Sequence, residues 1–182
     1  MQGVQTTVVA VIGDSAAALV RAGEAANVRV AHPDPDGAAL DRAVQAWNLA
    51  ARSSAPYFLH DADPLAWVEG AWARRFEAGS PPGELEVAVT ETVSRWRARS
   101  LELPDYYVLI DPESWDPARR HWYLGVLVGA APRRVATVAP VELVASLPGL
   151  PPGPWWPELD RLLAGIENVV PDQAGARREG EP

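Results

Sequence analysis

The sequence contains no cysteine, no lysine and no long uninterrupted hydrophobic run. The lack of cysteine excludes disulfide bonds, thiolate nucleophiles and cysteine-ligated zinc or iron–sulfur sites. The lack of lysine excludes a P-loop, and Gly13 stands alone where a dinucleotide-binding loop requires three spaced glycines. The longest apolar stretches, such as residues 8–12, are far shorter than the roughly 20 residues that span a bilayer.

The 182 residues carry 16 basic and 24 acidic side chains, which gives a formal net charge of -8. A charge of this sign repels nucleic-acid phosphates and anionic lipid surfaces, so we expect neither as a partner. Hydrophobic residues make up 48% and charged residues 22%, as is usual for a soluble globular chain. Because no basic segment precedes the first apolar run, we expect no secretory signal and a cytoplasmic protein.

Short β-branched or apolar runs alternate with helical patterns in the first half of the chain. The runs at 6–12, 28–31 and 56–59 are each followed by a stretch that is helical by its apolar spacing or composition. This β-α-β-α-β-α order favours parallel βαβ units and predicts an α/β sandwich of two or three layers with a mostly parallel sheet. We expect one domain over 1–170 and a disordered polar tail over 171–182.

The second half of the chain predicts a different connection. Residues 106–110 form a strong apolar run and indicate a fourth strand. The runs 122–128 and 133–139 are also strand-like, and the four residues between them include glycine and proline. The pattern predicts an antiparallel hairpin beside the parallel strands.

Polar side chains follow the predicted strands at the point where each strand ends. Asp14 and Ser15 follow the first strand, and Asp111 follows the fourth. The carboxyl ends of parallel strands meet at one edge of an open α/β sheet, which is where such sheets bind ligands. Asp14, Ser15 and Asp111 are therefore candidate catalytic residues.

Two of the three histidines also lie just after predicted strands. His32 and Asp34 follow the second strand, and His60 follows the third. Imidazole nitrogens and a carboxylate are a ligand set for zinc, manganese or iron and could activate water, so these three residues are candidate metal ligands. The alternative is structural: Asp34 precedes a proline, as turn and cap residues do, and a histidine is often a surface or hydrogen-bonded residue.

Two further features indicate a binding surface. The window 119–139 contains four arginines and no acidic residue, and the predicted hairpin would bring both arginine pairs to one end as an anion site. A tryptophan pair in a proline-rich segment could anchor a partner, or could clasp the last helix onto the sheet. The arginines could equally pair with surface carboxylates. The residues of this surface are Arg119, Arg120, Arg133, Arg134, Trp155 and Trp156.

No complete catalytic motif is present. The interpretation that we favour is a non-catalytic module, without a cofactor, that binds a protein partner, its own copy or a small ligand. The alternative is a metal-dependent hydrolase or related small-molecule enzyme with a divalent metal at the carboxyl edge of the sheet. The sequence does not decide whether the chain is an enzyme.

Overall fold

The computed structural model describes residues 6–76, 83–153 and 156–170, so the predicted tail over 171–182 lies outside the described residues. Five strands form one sheet in the order β2-β3-β1-β4-β5, and every pairing in it is parallel. The strands are β1 (Thr7–Ile12), β2 (Val28–Val30), β3 (Tyr57–His60), β4 (Tyr106–Leu109) and β5 (Val135–Thr137). The predicted α/β architecture with a mostly parallel sheet is confirmed.

Helices connect the strands and follow the last of them. The longer helices lie in the first half: α1 (Ala16–Ala22), α2 (Ala39–Ala50), α3 (Ala66–Arg75) and α4 (Glu84–Arg97). The second half has the short helices α5 (Pro117–His121), α6 (Val128–Ala130), α7 (Leu143–Ser146) and α8 (Leu159–Leu163). A π-helix (Trp122–Leu127) joins α5 to α6, and single 3₁₀ turns lie at Pro112–Ser114, Leu147–Gly149 and Ile166–Asn168. Among the described helices, none has the length and apolar character needed to cross a membrane.

Both faces of the sheet are covered by helices. Successive side chains of a strand point to opposite faces, so Val9 and Val11 pack with Leu19 of α1 on one face. Ala10 packs on the other face in the cluster that contains Trp72 of α3 and residues of α4, the π-helix and α8. The central strand β1 is therefore apolar at nearly every position, as is typical of a strand buried on both sides. The structure has three layers.

The predicted antiparallel hairpin is wrong. Residues 122–128 are helical, and β5 pairs parallel with β4. The helix begins because the Asp116 side chain accepts a hydrogen bond from the Arg119 amide at 2.9 Å, and Pro117 takes the first helical position. The aromatic and β-branched residues of this segment predicted a strand. In the structure they belong to a helix, on which Trp122 and Tyr123 are buried.

The end of β1 turns sharply at Gly13. Its φ is 111°, and a Cβ placed there would clash with the carbonyl oxygen of Ile110. Only glycine fits this close approach, and it turns the chain away from β1 toward α1. The chain leaves β1 toward β2 and leaves β4 toward β5 on the other side, so the sheet has its switch point between β1 and β4.

We expect Gly13→Ala to lower the free energy of unfolding by about 2 to 4 kcal/mol, since it combines an unfavourable φ with a backbone clash. Urea denaturation measures the change. Gly129→Ala is the matched control, because Gly129 is exposed and a methyl group placed on it would have no other atom within 4 Å. A Gly13→Ala protein as stable as the control would contradict this account of the turn.

Candidate functional site

A cleft of about 260 Å³ opens at the carboxyl ends of β1 and β3. We call it the carboxyl-edge cleft. Its walls come from the end of β1, the start of α2, the loop from β3 to α3, the first half of α3, α5 and the π-helix. Its polar and charged lining side chains are Ser15, Arg42, Asp61, Asp63, Glu69, Arg119 and Tyr123.

Ser15 is the one predicted catalytic residue that lines the carboxyl-edge cleft. It occupies the N-cap position of α1, but its hydroxyl makes no capping hydrogen bond. The residue is only 6% exposed, and within the described chain its Oγ has no hydrogen-bond partner. Because Ser15 lines the cleft, its hydroxyl can form a hydrogen bond with a molecule bound there.

Asp63 lies at the inner wall of the cleft and joins three parts of the fold. Its Oδ1 accepts hydrogen bonds from the Leu65 amide at 2.7 Å and the Tyr107 hydroxyl at 2.8 Å. Its Oδ2 accepts one from the Tyr123 hydroxyl at 2.5 Å. Burial raises the pKa of Asp63, although these three donors act in the opposite direction. Asp63 is thus fixed in place and has little freedom to follow a ligand.

Glu69 is the less constrained carboxyl of the cleft. It is half-buried in α3, and its side chain has no hydrogen bond or ion pair to any described residue. Burial raises the pKa of Glu69 to about 7, and the nearby carboxyls of Asp63 and Asp116 add to the effect, while Arg119 and Arg74 oppose it. A carboxyl with a pKa near neutral pH can both give and take a proton.

The two arginines of the cleft differ in their partners. Arg42 forms an ion pair with Asp61 at 3.2 Å, so these two charges largely neutralise each other. Arg119 places its guanidinium over the ring of Trp115, with the Cζ atom 4.7 Å from the ring centroid. Within the described residues it forms no ion pair with a carboxylate. Arg119 therefore offers the cleft a positive charge and several hydrogen-bond donors.

The structure gives no support for a metal site built from His32, Asp34 and His60. Among the described residues, no group of three or more His, Asp or Glu side chains is placed to hold a metal ion. His32 is exposed and lines a different cavity, of about 620 Å³, together with Arg29 and Arg52. Asp34 is exposed and its Oδ1 accepts a hydrogen bond from the Asp36 amide at 3.1 Å, which is the structural turn role.

His60 is buried at the end of β3, packed near Phe58 with 6.1 Å between ring centroids. Its Nδ1 has no hydrogen-bond partner in the described chain. Burial lowers the pKa of His60 to about 4, and the charge of Asp61 opposes this only in part. His60 is accordingly a neutral core residue.

The other two candidate catalytic residues lie outside the cleft lining. Asp14 and Asp111 are both exposed. Asp111 has a φ of 47°, and its carbonyl oxygen accepts hydrogen bonds from the amide and the hydroxyl of Ser114. Asp111 therefore has a visible structural role at the start of a 3₁₀ turn.

The four predicted surface arginines do not form one patch. Arg119 lines the carboxyl-edge cleft, and its neighbour Arg120 pairs with Glu113 at 3.4 Å. Arg134 is buried at the opposite edge of the sheet, where its Cζ lies 4.5 Å from the ring centroid of Tyr106. Arg133, beside it in the chain, is exposed. The prediction that Arg119 and Arg120 lie near Arg133 and Arg134 depended on the hairpin, and residues 122–128 form a helix instead.

Of the tryptophan pair, Trp156 is described and Trp155 lies outside the described residues. Trp156 is half-buried, and its Nε1 donates a hydrogen bond to the Pro104 carbonyl at 2.5 Å. Its ring packs edge-on against Tyr107 with 5.6 Å between centroids. These contacts match the clasp alternative for Trp156, in which the residue fastens the chain end to the sheet.

Sequence reasoning missed Glu69, Arg42 and Tyr123 as site residues. One signal for Glu69 was present: it lies four residues after Leu65 and three before Trp72, on the apolar stripe of the α3 helix. A carboxylate in such a stripe is either buried against the core or faces a cavity in it. Tyr123 carried no such signal, because its segment was interpreted as a strand.

We expect Tyr123→Phe to lower the free energy of unfolding by about 2 kcal/mol, because it removes a donor from the buried Asp63 carboxyl while keeping the ring. Chemical denaturation at neutral pH measures this. Tyr57→Phe is the control, since the half-buried Tyr57 hydroxyl has no hydrogen bond to a described residue. Equal stability of the two variants would show that the bond to Asp63 contributes nothing.

His60 predicts a pH dependence of stability. The unfolded chain takes up a proton near the usual pKa of 6.5, whereas the folded chain resists until about 4. As pH falls through this interval the fold loses stability, by roughly 3 kcal/mol for this residue. Thermal melts of His60→Leu should lack that part of the loss, and His32→Leu, which removes an exposed imidazole, should keep the wild-type profile. Identical profiles for His60→Leu and the wild type would refute the assignment.

Comparison of this chain with known protein families, with characterised protein sequences and with solved structures finds no match. What the carboxyl-edge cleft binds must therefore be argued from its own side chains and their charges.

Proposed function

We propose that this chain binds a small molecule carrying an oxyanion, a phosphate-like or carboxylate group, in the carboxyl-edge cleft. The observation that carries the proposal is the Arg119 guanidinium, which lines the cleft and has no ion-pair partner in the described chain. Arginine presents a planar set of donors that matches such oxyanions. The cleft also lies where parallel α/β sheets bind ligands, at the carboxyl ends of the strands and beside the switch point.

The charges in the cleft favour this ligand in spite of three carboxyls. Asp61 is paired with Arg42. Asp63 and Glu69 are close enough to influence each other, and burial raises the pKa of both, so together they carry less than two full negative charges near neutral pH. The positive charge of Arg119 is then available to bind an anionic ligand. The unpartnered Ser15 hydroxyl supplies a further hydrogen bond at the same cleft.

A protein-partner role draws less support from the described surface. The exposed large apolar side chains lie on separate elements, for example Val20 on α1, Leu49 on α2 and Val87 on α4. Scattered residues of this kind are normal on a monomer surface. Trp122 is fully buried, and Trp115 is half-buried beneath Arg119. Ligand binding is therefore the function that the geometry supports best.

The test is an NMR titration with sulfate, which stands for a phosphate-like group, and in parallel with acetate for a carboxylate. We expect one of them to shift the amides of Gly13 and Ser15, and Arg119→Ala to weaken its binding about tenfold, the loss of one hydrogen-bonded charge contact. Arg133→Ala is the matched control and should bind as the wild type does, because Arg133 lies at the opposite edge of the sheet.

The three outcomes separate the alternatives. Binding that depends on Arg119 alone supports the cleft. Equal losses in the two arginine variants would instead indicate that the anion binds surface arginines without preference for the cleft. No shift with either anion up to the solubility of the salt would overturn the proposal.

A further inference from the structure

Glu69 is the group in the cleft whose role a simple anion site leaves unexplained. It faces the same cleft as Arg119 without an ion pair between them, although an arginine beside a carboxylate is the ordinary structural arrangement. The first half of α3 holds Glu69 on the stripe of the helix that also buries Val68 and Trp72. The carboxyl is therefore presented to the cleft by a packed helix and is not drawn away into solvent.

The surroundings of Glu69 decide its charge state. Its neighbour Asp63 is buried, and the oxygen atoms of Asp63 already accept three hydrogen bonds from other groups. Asp63 therefore forms no hydrogen bond with Glu69. Arg74, five residues further along α3, forms an ion pair with Glu84 of α4. The charged or titratable groups that face Glu69 or its helix from neighbouring elements are Arg42 and Asp61 across the cleft, Asp63 in the preceding loop, Glu84 on α4, Asp116, Arg119 and His121 at α5, and Tyr123 on the π-helix.

We infer that Glu69 binds the oxyanion in its protonated form, donating a hydrogen bond to the group that Arg119 holds, so that each bound ligand brings one proton onto the protein. A carboxylate cannot share a half-buried cleft with an anion without strong repulsion, whereas a carboxylic acid supplies the donor that the anion needs. This inference rests on the proposed function. It adds that the anion site contains a protonated carboxyl, which donates a hydrogen bond to the bound anion.

The chemical class of the ligand follows from that pairing. One guanidinium and one neutral carboxylic acid together offer a single positive charge and several donors, which suits a monoanionic oxygen group or a singly bonded oxygen of a phosphate ester. The acid would stand beside an oxygen of the ligand.

The test measures proton uptake during sulfate binding, because sulfate stays fully ionised near neutral pH and cannot itself supply the signal. Isothermal titration in two buffers of different ionisation enthalpy counts the protons taken up. Free Glu69 titrates at about 7, so about one pH unit higher most molecules must gain a proton on binding. We expect uptake close to one proton there, and an affinity that falls about tenfold for each further pH unit.

Glu69→Gln is the decisive variant, since its amide donates a hydrogen bond at every pH. We expect it to bind sulfate with no proton uptake and with an affinity that does not change over the same pH range. Glu86→Gln, at an exposed position of α4, is the matched control and should keep the wild-type proton uptake. Melting temperatures of both variants establish that they are folded.

Failure of the inference and failure of the proposed function give different results. Sulfate binding without proton uptake, or uptake that persists in Glu69→Gln, would overturn the role of Glu69 while leaving the anion site intact. In the second case the proton would belong to another group of the cleft. No binding of sulfate or acetate at any pH would overturn the proposed function itself, and the inference with it.

Discussion

The buried carboxyl of Asp63 holds the site together. Through its hydrogen bonds it connects the start of α3, by the Leu65 amide, to β4, by Tyr107, and to the π-helix, by Tyr123. Each donor comes from a different segment, so the positions of the cleft walls depend on one acidic group. Burying a carboxyl is costly, and the cost is offset only while all its donors remain in place. The geometry of the cleft is therefore coupled to the packing of the core beneath it.

The same constraint explains the electrostatics of the cleft. The oxygen atoms of Asp63 accept hydrogen bonds from the scaffold, and after burial the Asp63 carboxyl is the next largest cause of the raised pKa of Glu69. Because the two carboxyls share a poorly solvated region, ionising one disfavours ionising the other. Asp63 is tied by hydrogen bonds and Glu69 is not, so Glu69 is the member of the pair that can respond to a ligand. A structural carboxyl thus adds to the effect of burial in raising the pKa of a ligand-facing one.

The sequence predicted the parallel core of the fold because its signal is local. Strand and helix follow each other in 6–76 with periodicities that a short window resolves, and burial on both faces makes β1 nearly continuously apolar. The second half was harder. Aromatic and β-branched residues at 122–128 are typical of strands, and only tertiary packing shows that they form a helix. That one error removed the predicted arginine patch, since the patch depended on the hairpin.

The candidate site was predicted in location but only partly in composition. The carboxyl edge follows from parallel strand order, and Ser15, a residue predicted for that edge, lines the cleft. Arg119 also lines the cleft, although the sequence predicted it for a separate hairpin surface. Asp34 and Asp111 were chosen by the same rule, but in the structure they make the turn contacts that aspartate makes generally. Strand-end position alone cannot separate these two outcomes, because the side chain's direction depends on neighbours distant in sequence. Glu69 lies inside helix α3, so a search for polar residues at strand ends does not find it.

The π-helix is the step that links the local sequence to the cleft. The neighbouring residues Trp122 and Tyr123 are both buried on it. Gly125 permits this arrangement, since a Cβ there would clash with the ring of His121, which packs edge-on against Trp72. Trp122 fills the core, and the Tyr123 hydroxyl donates a hydrogen bond to Asp63. Because α5 runs directly into this segment, the same geometry positions Arg119 at the mouth of the cleft.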